Sequence, residues 1–164
     1  LLDTMIAPVK ADKRPLRPTS IAESIHLTAE QLHRRSLVVL FTDAFTRIDP
    51  SGTPADNQEA LFDALRHLRH NKHEVILFHT YDFAHEINLD YDSRPHLFID
   101  LESGRQLRLQ PSEVAEDYRS RMTEMLNTVK RRSMQYRIDY VPVDIAKGFQ
   151  QIMLPFLLKR SKTG

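Results

Sequence analysis

The sequence predicts an α/β domain in which parallel strands are covered by helices. Two apolar runs, 36–42 and 73–80, and a third strand at 138–143 alternate with segments of helical periodicity, the order that builds βαβ units. Leu37 to Phe41 are five apolar residues in a row, the pattern of a strand buried on both faces. Each of the three strands runs into an aspartate, Asp43, Asp82 or Asp144. In an open sheet of this kind, ligands sit at the carboxyl ends of the strands.

Taken in order, residues 1–18 carry Pro8, Pro15 and Pro18 and read as a lead-in segment with little regular structure. Residues 19–164 read as a single α/β domain. Its first helix is expected from Ser20, which with Glu23 has capping-box spacing. Ile21, Ile25, Ala29 and Leu32 form the apolar stripe. After the first strand, 46–55 is a loop by composition. Asp56 and Glu59 then read as a capping box, and Leu61, Phe62, Leu65 and Leu68 as the inner face of a second helix. Beyond the second strand the alternation breaks. Ile87–Tyr91, His96–Ile99 and Gln106–Leu109 read as short strands, with Glu102–Arg105 turning a β-hairpin inserted near 95–110. Pro111 opens a long helix with Val114, Tyr118, Met122, Met125 and Val129 inward. Residues 147–160 form the last helix, through Phe149, Ile152, Met153, Phe156 and Leu157, with a kink expected at Pro155.

Composition narrows the function classes. The chain has 164 residues, 41% hydrophobic and 27% charged, enough for one ordinary core. A formal charge of +1 argues against wholesale binding of nucleic acid or anionic membrane. With no cysteine, thiolate chemistry is excluded and a cytoplasmic setting is expected. No run approaches the roughly 20 apolar residues of a membrane-spanning helix. The basic cluster Arg66–His73 reads as a solvated helix end, since no aromatic residues interleave it. Glycine-rich phosphate loops, Gly-x-Ser-x-Gly elbows and cysteine nucleophiles are missing.

The candidate site residues gather at the strand ends. Asp43, Asp82 and Asp144 could together present oxygen ligands to a hard cation, or each could cap a following turn. His79, Asp82, His85 and Glu86 place four potential ligands or acid/base groups within eight residues. They read either as loop-orienting groups or as a binding site, without the helical His-Glu-x-x-His of a zinc protease.

Order and spacing carry a resemblance. Arg34-Arg-Ser-Leu-Val-Val-Leu-Phe-Thr-Asp43, Leu65–Arg69 with His73–Val75, Asp82-x-x-x-Glu86, Phe98–Glu102 with Gly104, Tyr118-Arg119 and Phe156–Arg160 resemble the C-terminal part of bacterial "domain of unknown function 58" proteins. These are relatives of the von Willebrand factor A domain. The resemblance covers the chain from about Pro18 onward. It implies a doubly wound, three-layer Rossmann-like fold, here an incomplete A-like domain. Complete A domains hold Mg²⁺ in an adhesion site built from an Asp-x-Ser-x-Ser element, a Thr and an Asp. Thr19 matches the Thr and Asp43 the Asp. The Asp-x-Ser-x-Ser element is absent, Asp3–Ala7 does not fit it, and it is expected upstream in a longer parent chain.

No cofactor is assigned beyond that Mg²⁺. The leading expectation is a non-enzymatic protein-interaction module, associated through its relatives with MoxR-type ATPases and complex assembly. Its expected partner is another protein, the upstream part of its own parent, or a second copy meeting the edge of strand 36–42; the alternative for that edge is that residues 1–18 cover it. The alternative is a metal-assisted hydrolase or phosphotransferase on Asp43, Asp82 and Glu86, with His79 or His85 as acid/base.

Overall fold

The computed structural model describes residues 21–44, 54–99 and 104–161. The lead-in 1–18, Thr19, Ser20 and the loop at 46–53 lie outside the described residues. Three parallel strands, β1 (Leu37–Thr42), β2 (Glu74–Tyr81) and β5 (Asp139–Asp144), form a sheet in the order β1-β2-β5. Helices α1 (Ile21–Gln31), α2 (Pro54–His70), α3 (Pro111–Gln135) and α4 (Phe149–Ser161) surround it. An antiparallel hairpin, β3 (His96–Ile99) with β4 (Gln106–Leu109), stands apart from the main sheet and pairs His96 with Leu109 and Ile99 with Gln106. The α/β class, the parallel core and the inserted hairpin therefore stand as the sequence predicts.

Register decides which side chains share a face. Val38, Leu40 and Thr42 align with Val75, Leu77 and His79, and Leu77 with Tyr140. This face carries the core: Ile25 and Ala29 of α1, Leu61, Phe62, Leu65 and Leu68 of α2, and Val129 of α3 pack together with Val75 and Leu77. Arg132 of α3 ties α3 to α2 by lying 4.6 Å above the Phe62 ring and pairing with Glu59. The opposite face carries Leu37, Val39 and Phe41 with Ile76 and Phe78. There α4 crosses the sheet: Phe156 meets Phe78 edge-on at 5.2 Å, and Arg160 reaches Glu74 at 2.5 Å and Asp139 at 3.8 Å.

Several sequence expectations change. β1 is not buried on both faces. Its core side is half-buried, while Leu37, Val39 and Phe41 are 51%, 42% and 66% exposed. Residues 87–91 form no strand; Ile87 closes a π-helical turn, Phe83–Ile87, and Leu89 follows with φ +51°. Helix α2 starts at Pro54, so Asp56 and Glu59 lie inside it rather than at a cap. Val114 and Leu157, expected inward, are 38% and 53% exposed. His73, read as part of a solvated helix end, is buried, because the chain turns inward there to start β2.

That inward turn is built without glycine. After α2, His73 N–H bonds the Leu68 carbonyl and Lys72 N–H that of Arg69, at 3.2 and 3.0 Å. After α3, Ile138 and Arg137 repeat the pattern on Ser133 and Met134, at 2.8 and 3.1 Å. These are the paired bonds of a Schellman stop, whose C′ residue takes a left-handed conformation. Lys72 (φ +66°) and Arg137 (φ +55°) hold that position, where an L side chain is strained. Lys72→Gly and Arg137→Gly are each expected to raise stability by about 1 kcal/mol, read as a higher Tm in thermal denaturation. A lower Tm for both would show that neither turn is strained.

Candidate functional site at the strand carboxyl ends

The site begins where β1 stops. Thr42 Oγ1 accepts the Ala44 N–H at 3.0 Å, and Ala44, buried with φ +52°, bends the backbone out of the strand. That bend points the Asp43 carbonyl at His79, whose Nε2 lies 2.7 Å away. A carbonyl only accepts, so Nε2 carries the proton. In the neutral ring Nδ1 must then accept, and the Tyr140 hydroxyl, 3.0 Å away, donates to it. The ring is fully buried and meets Tyr81 and Tyr140 edge-on at 5.5 and 5.8 Å. Burial holds the His79 pKa below its ordinary 6.5, against the opposing pull of the Asp43 carbonyl and carboxylate. Burial likewise raises Tyr140, and Tyr81 is raised by burial and then by the Asp144 charge. His79 is thus a neutral link joining the ends of β1, β2 and β5.

The second group follows β2. Asp82 Oδ1 accepts the N–H groups of Ala84 and His85 at 3.0 and 3.1 Å, while Glu86 Oε2 accepts the Asp82 N–H at 3.0 Å. This reciprocal arrangement is a cap, satisfying donors that the start of any helical turn leaves open. His85 Nδ1 sits 2.8 Å from Asp82 Oδ2, and this hydrogen bond is the largest cause of the lowered Asp82 pKa. From α3, the Tyr118 hydroxyl donates to the Glu86 carbonyl and Arg119 Nε to that of Asn88, both at 2.7 Å. After β5, Asp144 Oδ1 accepts from Ala146 at 3.2 Å and from Phe83 at 3.4 Å, stitching the two turns together.

The parallel sheet places Asp43, Asp82 and Asp144 at the same edge, and the last two serve as caps there. Asp82, His85 and Glu86 form one cluster; His79 is engaged elsewhere, with Asp43 and Tyr140. Of the adhesion-type pair, Thr19 lies outside the described residues. Asp43 stands exposed at the end of β1, with the Thr42 hydroxyl 3.5 Å from its carboxylate. Among the described residues no three His, Asp or Glu side chains are grouped to hold a metal ion. The described residues do not by themselves supply the ligands of a six-coordinate Mg²⁺ site. Sequence reading missed Tyr81 and Tyr140. The available signal was chemical: a buried imidazole and a strand tyrosine each need a partner, and the shared parity of 79, 81 and 140 in the register supplies it.

The chain matches no family model, no curated protein and no solved structure. No described helix is long and apolar enough to cross a membrane.

His79 gives stability a pH dependence of known sign. Above about pH 6.5 the ring is neutral in both folded and unfolded chains, and its contribution is complete. As pH falls below that value, the unfolded chain takes up a proton that the folded chain resists, so stability declines. His79→Phe is expected to cost on the order of 3 kcal/mol, by stranding the Asp43 carbonyl and the Tyr140 hydroxyl, and to flatten the slope of stability against pH below 6.5. Denaturant titrations of both proteins across that range measure it. An unchanged slope would place the titrating group elsewhere.

Proposed function

We propose that this chain is a non-enzymatic protein-interaction module of a bacterial, von Willebrand factor A-like protein of the "domain of unknown function 58" kind. In this reading it works in the cytoplasm, in complex assembly alongside MoxR-type ATPases. The observation that carries it is the open flank of β1. Among the described residues, a strand with the sequence of a sheet interior stands at the sheet's edge with Leu37, Val39 and Phe41 exposed. Edge strands normally carry charges, prolines or bulges that discourage pairing. β1 has none of these within Leu37–Thr42. An incomplete A-like domain accounts for the opening, because the strand matching β1 has a further neighbour in complete A domains. The carboxyl-end groups agree with a binding role: Asp82, Glu86 and Asp144 hold turns, and His79 holds strands.

The test places a photo-crosslinking amino acid at Phe41 in cells expressing the chain. Covalent adducts with protein are expected, and Val39→Lys, which sets a charge on the open flank, should abolish them. No protein adduct at all would overturn the reading. The hydrolase alternative is tested separately with a phosphate monoester and Mg²⁺ or Mn²⁺. No turnover is expected; metal-dependent turnover lost in Asp43→Ala would replace the binding module with an enzyme.

A further inference from the structure

Helices α1 and α2 meet along two apolar stripes. Ile25 and Ala29 of α1 are buried in one cluster with Leu61, Leu65 and Leu68 of α2. His26 and His67 each sit one position outside those stripes, at the rim of the contact, and both are half-buried. His67 belongs to the basic cluster that the sequence assigns to a solvated helix end; the packing of α1 brings it instead against a second imidazole. The two Nδ1 atoms lie 3.1 Å apart, with ring centroids 5.3 Å apart and planes inclined at 42°.

Two facing imidazole nitrogens have two uses. With nothing between them, one ring carries its proton on Nδ1 and donates to the lone pair of the other. With both protons on Nε2, two lone pairs converge on a common point. Zn²⁺ binds imidazole nitrogen at about 2.0–2.1 Å. An ion at that distance from both nitrogens sees them at about 98°, between about 90° for an octahedral or square-planar shell and about 109° for a tetrahedron. Only a tautomer change in one ring separates the two uses. We infer that His26 and His67 form a bidentate site for a divalent transition-metal ion, Zn²⁺ first among them, that clasps α1 to α2.

Carboxylates accompany the pair on both helices. Glu23 and Glu30 lie a turn before and a turn after His26, and Asp63 lies a turn before His67. Asp63 is paired with Arg66 at 3.0 Å, and His70 follows His67 by a turn. Among the described residues no third His, Asp or Glu side chain completes the group, so water fills the remaining positions and the ion exchanges readily. Imidazole ligands select Zn²⁺, Ni²⁺ or Cu²⁺ over Mg²⁺ and Ca²⁺, which take oxygen. The clasp therefore differs in chemistry as well as in place from the carboxylates at the strand ends. Its effect is on the fold. Helix α1 also walls a groove over Val38 and Leu40 of β1, so an ion that fixes α1 on α2 fixes that wall too.

The test is a titration of the whole chain with Zn²⁺ at neutral pH, by calorimetry and by thermal denaturation. Tm is expected to climb with Zn²⁺ concentration, as for any ligand that binds only the folded chain, and to stay unchanged with Mg²⁺. His26→Gln and His67→Gln should each weaken Zn²⁺ binding about 100-fold, because each removes one half of a chelate. His33→Gln and His70→Gln should leave it unchanged. Acidification to about pH 5 should release the ion, since protons compete for the same lone pairs. A misfolded variant would also lose the ion, so the wild-type chain is read directly as well. With one equivalent of Cu²⁺, its paramagnetic resonance spectrum should carry the hyperfine pattern of two imidazole nitrogens. Zn²⁺ binding kept in both single variants overturns the proposal, as does a Cu²⁺ spectrum showing one nitrogen or none. A wild type that Zn²⁺ up to about 1 mM fails to stabilise overturns it too.

Discussion

Strand β1 is fastened to β2 at both ends by a buried histidine, and the rest of the sheet depends on that fastening. At its start, His73 Nδ1 accepts the Ser36 N–H; at its finish, His79 Nε2–H is donated to the Asp43 carbonyl. Among the described residues β1 has, between these points, β2 on one side only. An edge strand with one neighbour and one uncovered face would otherwise fray, because half its backbone groups compete with water. Each histidine adds a bond made out of water's reach, where a hydrogen bond is electrostatically stronger. The arrangement carries its own penalty. With Nδ1 committed as acceptor, His73 must keep its proton on Nε2, which is buried and has no hydrogen-bond partner. Such an orphan donor costs about 1–3 kcal/mol, so His73 holds β1 at a discount.

The carboxyl-end rim shows how a cluster of reactive residue types becomes structural. A π-helical turn is short, and the open N–H groups at its start are satisfied by Asp82 and its neighbours. Glu86 closes the same turn from the other side, and α3 reaches over with Tyr118 and Arg119 to hold the carbonyls beyond it. Asp144 performs the equivalent service for the 3₁₀ turn Ile145–Lys147 and adds a bond to Phe83. Carboxylates at strand ends thus have two uses in this architecture, and hydrogen-bond direction separates them. Oxygens that accept from backbone N–H groups are already neutralised by those donors and have less left to offer a cation.

Much of this was legible in the sequence, for a physical reason. Long apolar runs and helical stripes report burial, and burial is what a core demands; strands at 37–42, 74–81 and 139–144 and the hairpin follow from that signal. Reading failed where the deciding influence was not local. Ile87-Asn-Leu-Asp-Tyr91 alternates like a strand, yet Ile87 is buried by closing a π-helical turn and Leu89 by a left-handed backbone. Lys72 and Arg137 occupy positions that favour glycine, so the usual residue signal for a helix stop was missing. The roles of Asp82 and Asp144 were open in the sequence because a cap and a ligand need the same side chain. The His79–Tyr140 bond joins residues 61 apart, a distance that local pattern does not cross.

Two independent elements disagree with their surroundings in the same way, and they are adjacent. β1 has the composition of a strand covered on both faces but is covered on one. Helix α4 carries Ile152, Met153, Leu154, Phe156, Leu157 and Leu158, an apolar surface too wide for a helix resting on a sheet by a single stripe. Its Leu154, Leu157 and Leu158 are more than half exposed. The disagreements meet along one aromatic row: Phe41 stacks on Phe78 at 4.7 Å, and Phe78 meets Phe156 at 5.2 Å. The row runs from the open edge to the underside of α4. An isolated exposed leucine needs no explanation, since much of any protein surface is apolar. Among the described residues, a strand and a helix that both over-specify burial are joined by stacked rings into one continuous apolar surface. Covering those side chains alone would leave the outward N–H and C=O groups of an edge strand in competition with water, a cost that only a further strand removes.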